Sequence, residues 1–375
     1  MTSKTLTVAR RLAREVGERR LDFDRSQADA AARLDRLADA LHRDVRPRRR
    51  SLAGRFYASM RRFSGRQESA PVRGVYLWGA VGRGKTHLMD LFYESLRFPD
   101  RERSHFYRFM RRVHAELKAQ GRHSDPLEVV ANRLARETRL ICLDECFVSD
   151  IADAMLLGGL FRGLFRRGVT LVATSNVAPR DLYKDGLQRQ QFLPAIELIE
   201  QHLEVLHLDG GTDYRLRSLQ RAEIYLDANL PASADALRAL WATLGGAPGH
   251  GPVGLAIEGR TITAQRLAAG MAWFEFAELC DGPRSQNDYI ELAHTYQTIF
   301  LSNVPRLGRE NEDAARRLLM LIDELYDRGV KLVLSAAAPP RDLYRGERLR
   351  FEFERAVSRM IEMQTERYLA GDHRP

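Results

Sequence analysis

The octapeptide Gly79-Ala80-Val81-Gly82-Arg83-Gly84-Lys85-Thr86 fits G-x-x-x-x-G-K-[ST] and follows directly on the apolar run Val75-Tyr76-Leu77-Trp78. A strand that feeds a Gly-rich loop opening a helix is the context in which this motif cradles phosphate. Glycines at 82 and 84 let the backbone curl until successive N–H groups converge on phosphate oxygens, an approach that a side chain at either position would obstruct. A helix beginning near Lys85 adds the positive end of its dipole. Lys85 supplies a point charge to the terminal phosphates, and the Thr86 hydroxyl supplies a ligand for Mg²⁺. Only five lysines occur, at 4, 85, 118, 184 and 331, against 54 arginines. A lysine at the place the motif demands is therefore not a product of composition.

An octapeptide recurs by chance, so a second carboxylate site on another strand is the decisive check. Arg139-Leu140-Ile141-Cys142-Leu143-Asp144-Glu145 provides it: four apolar residues that read as a buried strand, ending in adjacent acids. Acids also follow strands merely because a loop begins, but the spacing of about sixty residues behind the first motif is common in phosphate-loop proteins. On that reading Asp144 holds Mg²⁺ and Glu145 polarises the attacking water. Val169-Thr170-Leu171-Val172-Ala173-Thr174-Ser175-Asn176 is a further buried strand, and its terminal amide, Asn176, is placed to orient water beside the last phosphate.

A chain of 375 residues is long enough for two or three domains. No apolar run approaches the length of a membrane-spanning helix, which points to a cytoplasmic protein with at most peripheral membrane contact. Residues 1–20 are Arg-rich, but Glu15 and Glu18 argue against a transit peptide, and the plainer expectation is an N-terminal helix. Cys142, Cys146 and Cys280 give no disulfide framework and stand without neighbouring ligands at metal spacing, so they are packing residues. The formal net charge of +9 permits binding to nucleic acid or anionic surfaces and proves neither. From Arg46 to Arg66 there are eight arginines and no acid, interleaved with Phe56, Tyr57 and Phe63. Such a run can track phosphates or face a membrane; a solvated helix or linker is the favoured reading.

Three regions follow: an N-terminal helical region over 1–69, a core over 70–215 and a C-terminal domain over 216–375. In the core, strands at 74–78, 105–109, 140–143 and 169–174 alternate with helices from Lys85, over 112–120 and over 153–166. That pattern predicts an α/β fold, a parallel sheet flanked by helices. The C-terminal region carries a repeat. Arg167-Gly168-Val169 and Pro179-Arg180-Asp181-Leu182-Tyr183 recur, shifted by 161, as Arg328-Gly329-Val330 and Pro340-Arg341-Asp342-Leu343-Tyr344. At the same shift Asp144 and Glu145 become Pro305 and Arg306, Ser175 and Asn176 become Ala336 and Ala337, and no second Gly-rich loop precedes them. This is either a copy of the core that has lost its chemistry or a chance recurrence of helix-turn-strand grammar; the identical Pro-Arg-Asp-Leu-Tyr favours the copy.

The segments Leu77 to Tyr93, Asp144-Glu145, Asp150 to Met155, Ala173 to Asn176, Gly186-Leu187-Gln188-Arg189 and Phe192-Leu193-Pro194 resemble the ZapE family of cell-division ATPases, also called Afg-like. Phe274 to Cys280, Asp288-Tyr289 and Leu321 to Asp327 extend the resemblance over nearly the whole chain. Cys146 and Phe147 depart from a usual Phe-Gln pair behind the acids. The resemblance implies an AAA-type P-loop ATPase, with ATP and Mg²⁺ as its ligands, that self-associates and acts on the FtsZ ring or other division proteins. It also implies that Asn176 is the sensor aligning water and Arg189 a finger reaching a neighbouring subunit's γ-phosphate, although an arginine there can equally pair with surface acids. Gln27, Arg355 and Arg359 are weaker candidates for an adenine contact or a phosphate sensor. A second class stays open: Gly82 to Leu88 is also similar to helicase-loader and replication-initiator phosphate loops, and the chain is basic, so a nucleic-acid-associated ATPase is the alternative.

Overall fold

The computed structural model describes residues 7–18, 24–44, 72–80, 82–120, 125–148, 150–209, 214–245, 251–257, 259–268 and 270–374. They belong to two compact units, divided between residues 211 and 212. The basic segment 46–66 and Val81 of the Gly-rich loop lie outside the described residues.

In the first unit β1 (Gly74–Trp78), β2 (Arg101–His105), β3 (Leu140–Asp144), β4 (Thr170–Ser175) and β5 (Leu203–His207) form a parallel sheet in the order β2-β3-β4-β1-β5. The helices are α1 (Val8–Gly17), α2 (Arg25–Arg43), α3 (Lys85–Ser95), α4 (Phe106–Gln120), α5 (Pro126–Glu137), α6 (Ile151–Arg166) and α7 (Arg189–His202). The period of two along a strand sends Val75 and Leu77 to one face, where they meet Leu34 and Leu37 of α2 and Leu88 and Phe92 of α3. Tyr76 points to the other face, among Phe109, Phe161 and Phe192 of α4, α6 and α7. The result is a three-layer sandwich. α1 and α2 are part of it: Leu34 is fully buried and Leu37 5% exposed, and burial of each stabilises the unit by ~1.5–3 kcal/mol.

One strand is displaced from its expected place. Residues 105–109 read as extended, but β2 spans Arg101–His105 and α4 begins at Phe106. The apolar residues that suggested a strand, Phe106, Phe109, Met110 and Val113, are all buried and recur at i, i+3, i+4 and i+7, the spacing of a helix face.

In the second unit β6 (Tyr225–Asp227), β10 (Met271–Glu275), β11 (Thr298–Val304) and β12 (Lys331–Ala336) run parallel, β9 (Arg266–Ala268) runs antiparallel to β10, and the order is β6-β12-β11-β10-β9. β7 (Val253–Ile257) and β8 (Arg260–Ala264) form a hairpin. One sheet face buries Phe274, Ile299 and Leu332 against α10 (Phe276–Cys280), α11 (Gln286–Thr295), α12 (Glu312–Asp327) and α13 (Arg350–Glu362). The other buries Trp273, Phe300 and Val333 with Trp241 of α9 (Pro231–Thr243) and Leu369 of α14 (Glu366–Ala370); α8 (Tyr214–Arg221) contributes Leu219.

At β3 the shift is 158, so Ser302 and Asn303, and not Pro305 and Arg306, stand in the places of Asp144 and Glu145. From α6 onward the shift of 161 holds. It carries α6 onto α12, both of 16 residues, β4 onto β12, and the 3₁₀ turn Pro179–Asp181 onto Pro340–Asp342. The repeated Arg-Gly-Val is a helix stop: Gly168 and Gly329 take φ of 77° and 67°, and each lets two trailing N–H groups bond back into the last turn (Val169 to Leu164 O, Val330 to Leu325 O). The correspondence continues upstream of the sequence repeat. Tyr76 Oη donates to Val177 O at 3.1 Å and Tyr225 Oη to Ala338 O at 2.7 Å, both acceptors again 161 apart. Gly79 N donates to Ser175 O and Ala228 N to Ala336 O in the same way. Between strand and helix the first unit has residues 79–84 and the second only 228–230, so the loop that would surround a phosphate is shortened by half.

Candidate nucleotide site

The chain leaves β1 toward β2, returns through β3 and β4, and then crosses to β5 on the far side of β1. Ligands of open parallel sheets sit at the carboxyl ends of the strands where the direction of winding reverses, here β1 and β4. The Gly-rich loop lies at that point. Gly82 and Gly84 take φ of 80° and 75°, the left-handed region in which a side chain is strained. α3 starts at Lys85, and its N-cap, Gly84, has no capping side chain, so the amides of the first turn are not spent on a cap. Lys85 is 7% exposed, and its Nζ donates to Gly79 O at 2.7 Å and Ala80 O at 2.8 Å. The ammonium is thus folded back over the start of the loop.

Asp144 ends β3, one strand removed from β1, and is 3% exposed. Its Oδ2 accepts from Arg103 Nε at 2.6 Å, while Oδ1 is buried with no hydrogen bond of good geometry. Burial raises its pKa, opposed by the Arg103 charge. Arg103 also donates to Asp90 of α3; burial works against its charge, but the two carboxylates outweigh burial and raise its pKa. Glu145 turns into the left-handed region at φ 53°. Its N–H donates to Thr174 Oγ1 at 3.1 Å, Cys146 N donates to Thr174 O at 2.7 Å, and Ser175 Oγ donates to Cys146 O at 2.7 Å. The tip of β4 therefore fixes the backbone of Glu145 and Cys146, and the Thr174 hydroxyl also reaches the Asp144 carboxylate.

Asn176 follows β4 directly, and the register pairs Ser175 with Trp78, so the amide borders the phosphate loop. Gln27 reaches the loop from α2: its Nε2 donates to Arg83 O at 3.1 Å. Arg189 opens α7 and donates to the carbonyl of Arg180, whose own side chain is 82% exposed and paired with Glu200. Arg355 and Arg359 lie in the second unit, where both pair with Asp323. The three cysteines are buried thiols, as expected of packing residues.

Mg²⁺ commonly takes one or two protein oxygens, substrate phosphates and water. The residues fit that use: a buried carboxylate oxygen of Asp144 has no hydrogen bond of good geometry, and Thr86 follows the lysine that overhangs the loop. The sequence missed Arg103, Asp90 and Thr174. Arg-Glu-Arg-Ser-His carries no apolar alternation and precedes the strand expected at 105–109, so nothing in it shows that Arg103 joins two carboxylates.

A parallel sheet in the order 5-1-4-3-2, with a lysine-bearing Gly-rich loop after β1 and adjacent acids after β3, defines a P-loop ATPase. The chain belongs to the AFG1-like ATPase family, whose profile matches residues 6–372. It is 45% identical to Cell division protein ZapE of Escherichia coli (strain K12), over 93% of this chain and 94% of that protein. It is 38% identical to Lactation elevated protein 1 homolog B of Danio rerio, over 80% of this chain and 69% of that protein. Among the described residues no helix is long and apolar enough to cross a membrane.

Proposed function

We propose that this ATPase hydrolyses ATP with Mg²⁺ in the cytoplasm, in an assembly of its own copies, to regulate or remodel protein partners at the division ring, FtsZ foremost. The observation that carries the chemistry is the convergence of Lys85, Asp144, Glu145 and Asn176 on the carboxyl ends of neighbouring strands β1, β4 and β3. The amides of 79–84 and the Lys85 ammonium bind the phosphates. Thr86 and Asp144 hold the metal, which when bound neutralises charge on the transferring phosphoryl group. Glu145 accepts a proton from water, and Asn176 orients that water. Arg189 half-emerges at the start of α7, a place from which its charge can serve a neighbouring subunit's site, so that hydrolysis reports assembly. The division partner rests on the likeness to ZapE.

The second unit, spanning the C-terminal domain of residues 216–375, is on this reading a copy of the core that kept strand order and hydrogen bonds but not the phosphate loop; one chain then binds one nucleotide. ATPase rates measured alone, with FtsZ polymers and with single-stranded DNA test the partner. Stimulation by FtsZ and co-sedimentation in ATP are expected. Stimulation by DNA alone would promote the helicase-loader alternative. A stoichiometry of two nucleotides per chain would defeat the degenerate-copy assignment.

A further inference from the structure

We propose that Arg103 is a positioning residue that holds the two protein halves of the metal site in register. The inference rests on the Mg-ATP reading above and adds to it a side chain that touches neither nucleotide nor metal.

The two halves come from different layers. Thr86 is on α3, at the edge of the phosphate loop, and Asp144 is at the end of β3. Asp90 lies four residues beyond Thr86 on the same helix, one turn along the same face. Arg103, in the middle of β2, gives Nε to Asp144 Oδ2 and Nη1 to Asp90. One rigid, planar fork therefore ties the helix that carries the threonine to the strand that carries the aspartate. It also fixes which oxygen of Asp144 is left for a ligand: Oδ2 is occupied by Arg103, and Oδ1 is buried with no hydrogen bond of good geometry, the Thr174 hydroxyl being the side chain beside the carboxylate.

The bland alternative is a buried ion pair that merely helps hold β2 to β3. Buried pairs are weak sources of stability, because desolvation offsets their attraction. The second unit supplies an internal comparison. In parallel register Arg103 faces Cys142, two residues before Asp144; Trp273 faces Phe300, two residues before Ser302. Trp273 Nε1 donates to Ser302 Oγ, just as Arg103 Nε donates to Asp144. The next residue repeats the geometry as well: Asn303 takes φ 60° and its N–H donates to Ser335 Oγ, as Glu145 at φ 53° does to Thr174 Oγ1. The same strand tip is built with a neutral pair where the phosphate loop is shortened and with a charged pair where it is whole. The charge of Arg103 thus goes with the nucleotide chemistry and not with the sheet.

The test compares Arg103→Lys, Arg103→Ala and Asp90→Asn with Thr86→Ala and Asp144→Asn in the full chain, each first checked for a cooperative thermal transition. Two quantities are read: the Mg²⁺ concentration for half-maximal hydrolysis, and ATP affinity with EDTA and with Mg²⁺. Binding is followed by the fluorescence of Trp78, which precedes Gly79, stacks on His207 with ring centroids 3.8 Å apart and is the one tryptophan of the first unit. Partners that orient a metal ligand typically change metal affinity by about ten- to a hundredfold. A rise of that size in the Mg²⁺ requirement is expected for Arg103→Lys and Arg103→Ala, and a smaller rise for Asp90→Asn, with affinity in EDTA unchanged. Lysine should not rescue, because one ammonium cannot span both carboxylates. If Arg103→Ala does not fold, the other two variants decide. Wild-type Mg²⁺ dependence in them, alongside a raised requirement in Thr86→Ala and Asp144→Asn, overturns the clamp, and so does a loss confined to EDTA affinity. An unchanged requirement in Thr86→Ala and Asp144→Asn overturns the Mg-ATP reading itself.

Discussion

Replacing Thr174 by valine should slow hydrolysis about tenfold while leaving metal-free ATP binding intact. Thr174 is 1% exposed, and its hydroxyl accepts the N–H of Glu145 at 3.1 Å. Glu145 is held in the left-handed region at φ 53°, which costs a residue with a side chain ~1–2 kcal/mol. Against that cost stand the hydroxyl, worth ~1 kcal/mol as a net hydrogen bond, and the neighbouring bond from Cys146 N to Thr174 O, which valine keeps. A part-buried N–H left without its acceptor adds a penalty of ~1–3 kcal/mol to the left-handed state alone. The balance therefore moves by ~1–3 kcal/mol against the position from which Glu145 reaches water, a five- to 150-fold change in its population. Steady-state kcat and ATP affinity in EDTA separate the effects: kcat should fall by about an order of magnitude and metal-free affinity should stay within twofold, since the hydroxyl reaches the two acids and not the phosphate loop. Thr174→Ser keeps the hydroxyl, occupies the same place as Ser335 in the second unit, and should be close to wild type. A valine variant with normal kcat, or a serine variant as slow as valine, would refute the idea that this hydroxyl sets the carboxylate.

Glu145→Gln should retain Mg-ATP binding and lose turnover, because an amide cannot take a proton from water, whereas Lys85→Ala should weaken binding as well; nucleotide titration and phosphate release distinguish them. Mixing inactive Arg189→Ala with inactive Lys85→Ala should restore part of the activity if the arginine acts across a subunit interface, and no rescue in an oligomer shown to exchange subunits would place it outside its neighbour's site. Charge reversal at Arg48, Arg49 and Arg50 should leave basal hydrolysis nearly unchanged, measured as phosphate release, because those residues carry no catalytic group. Burial, then the charges of Arg108 and Arg103, push the His105 pKa down from 6.5 to about 4. Folding stability should therefore fall as pH drops from about 6.5 toward 4, where the unfolded chain takes up a proton that the folded one refuses, by up to about 3 kcal/mol; urea midpoints of wild type and His105→Gln across that range should show the slope lost in the variant.

The parts of the site written in short, contiguous patterns were legible in the sequence. The Gly-rich loop must sit between a strand and a helix, and the apolar runs before Asp144 and Asn176 can only be central strands, so Lys85, Asp144, Glu145 and Asn176 fall at one end of one sheet without further information. Legibility failed where a role depends on two distant elements. Arg103 acquires meaning only when β2 pairs with β3 and α3 packs across both, and Gln27 only when α2 lies against the loop. Arg-Glu-Arg-Ser-His has no apolar alternation, so the pattern places the edge strand four residues too late, in a stretch whose aromatic residues serve a helix. Arg189 is a different case: its sequence neighbourhood suggests a role between subunits, and within one chain its hydrogen bond to the Arg180 carbonyl leaves that role to be decided by assembly.

The second unit separates what a fold of this kind requires from what its chemistry requires. Both units keep the tyrosine that bonds the chain beyond the central strand, the glycine helix stop, the hydroxyl at the strand tip and the left-handed residue it fixes. These are answers to backbone problems: trailing amides and carbonyls must find partners, and the chain must turn sharply at the end of a buried strand. What differs is three residues of loop, the lysine, and the paired change from Arg103 and Asp144 to Trp273 and Ser302. A buried aspartate is expensive without a cation, and a buried arginine without an acid, so the two charges stand or fall together, and the second unit has neither. The left-handed Glu145 is thus part of the backbone geometry the two units share, and its carboxylate is what differs: Asn303 has the same backbone and its side chain bonds Glu275. Exchanging the side chains at 103, 144 and 145 together for those at 273, 302 and 303 should therefore abolish phosphate release while leaving the thermal transition of the chain close to wild type.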